Sequence, residues 1–245
     1  MKKGLTMAQT TSSKASITKN ARFVPAAHTP EPQLSLTERA YADLEELIVT
    51  LQLPPGSTVS EVGLSTRLGI GRTPIREALQ RLARERLVVI LPQRGIIVSE
   101  INVGSQLKVL ELRRELERLT AKSAARRASE DELKRFREIA RELKKASKTN
   151  DEITFMRLDR EFNLLAAAAA RNEFISSSMG LIHSLSRRFW YIHYKKVADM
   201  PLAARLHADV AMAIANRDEV AAEKASDALL DYLEEFTRAT LDSGM

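Results

Sequence analysis

The amino-acid sequence predicts a mainly α-helical protein. A unit of three helices and a β-hairpin at residues 35–102 is followed by an antiparallel bundle of six helices at residues 103–245. Three observations support this fold class. Apolar residues recur at intervals of three and four along most of the chain, which is the helical period. Two β-branched runs lie close together near residue 90 and predict the hairpin. Beyond residue 103 there is almost no glycine or proline.

The composition narrows the class of protein. With 245 residues, 44% of them hydrophobic, the chain is long enough for two well-packed domains. It contains no cysteine, which excludes disulfides, thiolate zinc sites and cysteine nucleophiles. It has neither an apolar run of about 18 residues nor the apolar core of a signal peptide. We therefore expect a cytoplasmic protein without a membrane partner.

Residues 1–34 differ from the rest of the chain. They are rich in serine, threonine, lysine, alanine and proline and show no hydrophobic period. Such a composition cannot bury enough apolar surface to offset the entropy of ordering the chain. This segment is predicted to be a disordered basic arm.

The first predicted helix covers residues 36–52, where apolar residues are spaced by three and four. Ser35 is its predicted N-cap, and Glu38, three residues later, completes a capping box. The helix is predicted to end before the Pro-Pro-Gly sequence at residues 54–56, because proline cannot continue a helix.

A helix-turn-helix with a hairpin follows. Ser60 is predicted to cap a short helix, EVGLSTRL, that ends at Gly69. Thr73 is predicted to cap the next helix, with Pro74 as its first residue, where a missing N–H does no harm. The runs LVVIL and IIVSEI, joined by PQRG, then form the hairpin. Together these elements compose a winged helix-turn-helix, a module that places a helix in the DNA major groove.

The rest of the chain is predicted to form the bundle. Each break between its helices offers an Asp, Asn or Ser as a cap, and such short loops join antiparallel neighbours. The predicted helices cover residues 104–128, 130–149, 151–170, 172–196, 201–216 and 218–242.

Arginines cluster around the helix-turn-helix. Residues 67–94 carry seven arginines against two glutamates, a local charge of +5. The planar guanidinium fork suits phosphates and guanine edges. A solvated, charged helix surface is the alternative interpretation of the same pattern. The arginines are Arg67, Arg72, Arg76, Arg81, Arg84, Arg86 and Arg94.

The sequence resembles a known family in both halves. The stretch PGSTVSEVGLSTRLGIGRTPIREALQRLARERLVVILPQRGIIVSEI is similar to the N-terminal domain of GntR-family bacterial transcription regulators. The segments ELRRELERLTAKSAA (111–125), DREFN (159–163) and LHADVAMAIANRD (206–218) resemble the helical effector-binding (FCD) domain of the FadR subfamily, in its six-helix VanR-like branch.

The resemblance implies a metabolite-responsive repressor that binds a pseudo-palindromic operator on double-stranded DNA as a homodimer. By position, Arg72, Thr73 and Arg76 match residues that contact DNA in the family. Arg94 and Gly95 form the predicted wing tip, where arginine suits a narrow minor groove. The sequence has Gly71 where the family more often has Ser or Thr, so one hydroxyl contact is expected to be missing.

The effector pocket is predicted from the resemblance together with helical projection. Arg113 matches a family position that often pairs with an effector carboxylate; a salt bridge to Glu117 is the alternative. His193 falls on the apolar stripe of its helix, as a pocket residue or as a buried, hydrogen-bonded histidine. A carboxylated metabolite is the expected ligand, because arginine binds carboxylates bidentately. The candidate pocket residues are Arg113, Asp159, Asn163, His193, His207 and Tyr232.

The resemblance also raises the question of a metal. Many relatives hold a divalent ion through one Asp and three His. This chain has Asp159 and His207, but Asn163 and Leu229 occupy the other two positions. Asn is a weak substitute for imidazole. Two interpretations stay open: an incomplete site, or a zinc or nickel ion held by Asp159 and His207.

Two other classes of protein are alternatives to a regulator. A hydrolytic enzyme would need a nucleophile elbow, a phosphate loop or an intact metal triad, and the sequence has none, so we expect no enzyme. The second alternative is a DNA-binding protein whose helical domain only dimerises and senses no ligand. The missing metal ligands favour that alternative, and the sequence alone does not exclude it.

Overall fold

The structure is a computed structural model, and it describes residues 35–92 and 95–242. Within these ranges the chain forms nine helices and one three-stranded sheet. The predicted basic arm at residues 1–34 and the predicted DNA-binding residue Arg94 lie outside the described residues. The mainly α-helical fold class is confirmed.

The first six elements form the winged helix-turn-helix. Its sheet has the order β1-β3-β2, with both pairs antiparallel. The short strand β1 was not predicted, because two residues carry no periodic pattern. The elements are α1 (Leu36–Val49), β1 (Thr58–Val59), α2 (Glu61–Leu68), α3 (Arg72–Arg84), β2 (Val88–Leu91) and β3 (Gly95–Val98).

The predicted start of α3 is wrong by two residues. Gly71, not Thr73, is the N-cap, and it makes no side-chain cap hydrogen bond. Pro74 is therefore the third helical residue rather than the first. Proline is tolerated there as well, since the first four N–H groups of a helix have no intrahelical acceptor. The earlier start places Arg72 and Thr73 inside the first turn.

Six helices form the second half. The most extensive packing is between α5 and α8 and between α4 and α9. A capping box of Ser129 and Glu132 begins α5, and Asn150 ends it in the left-handed conformation. The helices are α4 (Val103–Arg127), α5 (Glu130–Thr149), α6 (Glu152–Ala169), α7 (Glu173–Val197), α8 (Met200–Ala215) and α9 (Glu219–Asp242).

Helix α1 connects the two halves. Its buried residues Ala40, Leu44 and Ile48 belong to the core of the winged helix-turn-helix, and it packs on α3. It also contacts α7, whose Leu185 packs against this same core. A separate core fills the bundle. None of the helices in the described part of the chain is long and apolar enough to cross a membrane.

Candidate functional site

The exposed face of α3 is the candidate DNA interface. Ile75, Leu79 and Leu82 are fully or almost fully buried, which fixes the rotation of the helix about its axis. The opposite face therefore points outward, and Arg72, Thr73 and Arg76 are exposed on it. The N-terminus of a helix carries free N–H groups and partial positive charge, which favour phosphate.

Arg76 is organised by a residue that the sequence analysis did not identify. Its Nε and Nη2 donate to the two carboxylate oxygens of Glu61 in α2, at 2.9 and 2.7 Å. The pairing lowers the pKa of Glu61 and leaves the Arg76 side chain 54% exposed. This is the fork geometry with which arginine binds a guanine edge or a phosphate. Glu61 thus fixes the orientation of the Arg76 guanidinium, and DNA bound by Arg76 would have to replace Glu61.

Two other residues of the winged helix-turn-helix, Arg81 and Gly95, have structural roles. The Arg81 guanidinium lies 3.6 Å from the centre of the Tyr41 ring and pairs with Glu85 at 3.1 Å. Gly95 is paired with Leu91 at the start of β3 and has φ +94°, a conformation that favours glycine. Arg81 therefore stabilises the packing of α1 on α3. The positive φ of residue 95 accounts for the glycine at this position.

A cavity of about 450 Å³ lies between α1 and the helices of the second half of the chain. Residues of α1, α4, α6, α7, α8 and α9 line it. The chain has 12 aromatic residues, 7 Phe, 4 Tyr and 1 Trp, and half of them line this cavity. Its size and apolar wall are those of a small-molecule site. The aromatic residues are Phe155, Phe189, Trp190, Tyr191, Tyr194 and Phe236.

Four of the six predicted pocket residues line the cavity: Arg113, Asp159, Asn163 and His207. His193 and Tyr232 do not. The His193 ring stacks on Phe189, with ring centres 4.6 Å apart, and the Tyr232 hydroxyl donates to the carbonyl of Asp199. The helical projection identified a buried stripe but not the neighbouring helix that each part of the stripe faces.

The structure adds polar residues that the sequence analysis did not propose. Arg187 and His183 lie on α7, which also carries Phe189, Trp190 and Tyr191 of the aromatic wall. The added residues include Gln106, Arg157, Arg160, His183, Ser186 and Arg187.

A buried charge cluster surrounds Arg113. Its Nε donates to a carboxylate oxygen of Glu117, one turn along α4, and His183 Nε2 lies 3.5 Å from the same oxygen. Burial alone raises the pKa of Glu117, but the charge of Arg113 and the hydrogen bond from His183 lower it to about 2. Arg113 therefore lines the cavity and also forms the salt bridge to Glu117.

A second buried cluster joins α6 and α8. His207 Nε2 lies 2.9 Å from Asp159 Oδ1, and its Nδ1 lies 2.8 Å from the carbonyl oxygen of Ala203. Both ring nitrogens of His207 therefore face oxygen atoms of neighbouring residues. Asn163 Nδ2 donates to the same Asp159 oxygen at 3.0 Å. Burial alone raises the pKa of Asp159, but the His207 hydrogen bond and charge lower it to about 2.

These residues do not fit a zinc-like ion. Structural and catalytic zinc sites take at least three strong protein ligands, and no three His, Cys, Asp or Glu side chains form such a group within residues 35–92 and 95–242. Asn163 uses its amide to hold Asp159, and Leu229 is buried in the bundle core. His207 Nε2 is turned towards Asp159 Oδ1, at 2.9 Å.

Equimolar zinc is accordingly expected to leave the melting temperature of the purified chain unchanged, because an ion that binds only the folded state raises that temperature. Thermal unfolding with and without zinc measures this. A rise that disappears in Asp159→Ala would restore the interpretation in which Asp159 and His207 hold a metal.

Comparison with known families assigns both halves. The model for bacterial regulatory proteins of the gntR family matches residues 36–98. The FCD domain model matches residues 108–232, which are 125 of the 245 residues.

Individual relatives agree with the two family matches. The chain is 27% identical to the HTH-type transcriptional repressor RspR of Escherichia coli K12, over 84% of this chain and 91% of the relative. It is 26% identical to the Nta operon transcriptional regulator of Aminobacter aminovorans, over 71% and 80%. Among solved structures, E. coli McbR/YncC covers 85% of this chain and all of its own, with a TM-score of 0.74 and 18% identity. These relatives are transcription regulators rather than enzymes.

Proposed function

From its membership of the gntR family of bacterial regulatory proteins with an FCD domain, this chain is a DNA-binding transcription regulator, and we propose that a small carboxylated metabolite controls it by binding the 450 Å³ cavity. In this proposal the chain is a cytoplasmic homodimer that binds a pseudo-palindromic operator through Arg72, Thr73 and Arg76 of each protomer. Ligand binding releases the operator, so the protein acts as a repressor. The description of RspR as a repressor supports repression rather than activation.

One observation carries the link between the two sites. The cavity wall includes Glu46, Val49 and Thr50, which belong to α1 or directly follow it. Helix α1 also packs on α3, the helix that carries the candidate DNA-binding residues. A ligand in the cavity therefore contacts an element that supports the recognition helix. A displacement of α1 would be transmitted to α3 through the packing between these two helices.

The proposal is tested on the full chain in two steps. Selection from a random library of DNA duplexes identifies the sequence that the protein binds. A panel of small carboxylic acids is then screened by the fluorescence of Trp190, which is the only tryptophan of the chain and lines the cavity. The proposal expects at least one acid that changes this fluorescence and weakens binding to the selected duplex.

The alternative, in which the helical domain only dimerises, makes a different prediction. It expects no acid to change the Trp190 signal and DNA binding to be constant across the panel. The residues of the cavity argue against this alternative, since a bundle that only dimerises gains nothing from a buried Arg113 and a partly buried Arg187 beside an aromatic-lined cavity. An apolar filling would cost less than paired charges in that position.

A further inference from the structure

We infer that the anionic group of the ligand binds Arg160 and Arg187, in the place that the Glu46 carboxylate holds in this structure. The inference rests on the proposed function, because it requires that the cavity takes a ligand. The ligand of this subsite is a carboxylate attached to an aromatic or similarly flat apolar group.

The subsite is a cluster of two arginines and two glutamates. Arg187 donates to Glu45 Oε1 at 3.2 Å and to Glu46 Oε2 at 3.4 Å. Arg160 donates to the same oxygen of Glu46 at 3.3 Å. Arg160, Arg187 and Glu46 all line the cavity. The two guanidinium groups thus converge on one carboxylate oxygen at the cavity wall, which is how arginines bind an anionic ligand.

Of the two glutamates, Glu46 is the one that a ligand can replace. Its side chain is 42% exposed, so its carboxylate can turn into water at little cost. Glu45 is 8% exposed and also accepts a hydrogen bond from Ser184 at 2.9 Å. Displacing Glu45 would leave a buried charge without its partners, which is costly.

The other cations of the cavity wall are less available. Arg113 is buried against Glu117, and removal of its partner would leave an uncompensated charge. Arg157 pairs with Glu142 and Glu161, two residues that do not line the cavity. A ligand carboxylate at Arg160 and Arg187 exchanges with a single exposed group. The exchange at this pair costs the least.

Two aromatic residues of the cavity wall lie next to this subsite. Trp190 and Tyr191 follow Arg187 by three and four residues on α7, so they lie about one helical turn, roughly 5 Å, further along the same face. An arylalkanoate, with its ring a few bonds from its carboxylate, spans this separation. Its ring would lie against Trp190 and Tyr191 while its carboxylate meets the two guanidinium groups.

Replacement of Glu46 by the ligand also explains how ligand binding would regulate DNA binding. The contacts of Glu45 and Glu46 with Arg160 and Arg187 tie α1 to α6 and α7. A ligand that takes the place of Glu46 removes one of these two carboxylate ties while leaving Glu45 in place. Helix α1, and α3 packed on it, are then held less firmly.

The test uses 3-phenylpropanoate and its neutral amide as probes, with Trp190 fluorescence of the full chain as the readout. The acid is expected to bind about tenfold more tightly than the amide, the ratio typical of one added charge-assisted contact. Glu46→Gln, which removes the competing charge, should tighten the acid several-fold and leave the amide unchanged. Arg160→Gln should remove the preference for the acid, and Arg187→Gln should do the same.

Glu142→Gln is the matched control. Glu142, on α5, has a similar exposure, 40%, and pairs with Arg157, which lies on α6 as Arg160 does, but Glu142 does not line the cavity. This substitution should change the affinity of neither probe. If both probes bind the wild type equally and Glu46→Gln changes neither, the subsite is wrong while ligand sensing in the cavity stands. If neither probe changes the Trp190 signal in any variant, the inference fails, and the proposed function is then decided by the panel of acids.

Discussion

Replacement of Arg76 by alanine is expected to weaken binding to the selected DNA duplex by about 30-fold or more, because a bidentate arginine contact contributes about 1–3 kcal/mol and the proposed homodimer loses two of them. The fold should be intact. The Arg76–Glu61 pair lies at the surface, where such pairs contribute little stability, and alanine favours the helix. Fluorescence anisotropy of a labelled duplex at constant salt, with circular dichroism beside it, measures both properties.

Glu61→Gln is the informative partner variant. It removes the carboxylate that competes with DNA for Arg76 without removing the guanidinium. Its affinity for the duplex should equal or exceed that of the wild type. Wild-type affinity in Arg76→Ala would remove this residue from the interface, whatever Glu61→Gln does.

Replacement of Glu117 by glutamine is expected to lower the free energy of unfolding by about 3 kcal/mol at neutral pH, as removal of one partner of a buried pair does. Glu117 is the shared partner of Arg113 and His183 beside the cavity. Its loss leaves the Arg113 charge buried and uncompensated. Urea denaturation of the variant and the wild type at equal protein concentration measures the difference.

The pH dependence identifies the cause of that loss. The pKa of Glu117 is about 2 in the folded chain, below its ordinary value of 4.5. Its stabilisation is therefore complete above about pH 4.5 and is lost as the pH falls towards about 2. The unfolding curves of wild type and Glu117→Gln should converge over that window. A constant difference would show that packing, rather than the charge, is responsible.

Glu223→Gln provides the comparison at the surface. Glu223 pairs with Lys122, on the same helix as Arg113, and both side chains of this pair are partly exposed. Its replacement should change the free energy of unfolding by less than about 1 kcal/mol. The contrast between the two variants separates the buried pair from a general effect of lost charge.

The fold was largely predictable because its signals are local. Hydrophobic period and cap residues located all nine helices of the described chain to within a few residues. The start of α3 was misplaced because Thr73 and Pro74 are both acceptable near a helix start, and local sequence does not decide between their positions. Strand β1 depends on its pairing with β3, a contact between residues about 38 positions apart.

The candidate sites were predictable only in part, because they depend on contacts between helices. The resemblance selected Arg113, Asp159, Asn163 and His207, and these residues do line one cavity. It did not indicate that Glu61 pairs with Arg76 or that α1 contributes to the cavity wall. Such partners lie on other helices, and the period of one helix does not report which neighbour its residues face.

The central claim is that ligand binding in the cavity and DNA binding at α3 are coupled. The most direct measurement is the affinity of the full chain for an acid from the panel, followed by Trp190 fluorescence, with and without the selected duplex. Coupling is reciprocal, so the duplex should weaken acid binding by the same factor by which the acid weakens duplex binding. An acid that binds the cavity equally well with and without the duplex would contradict the account.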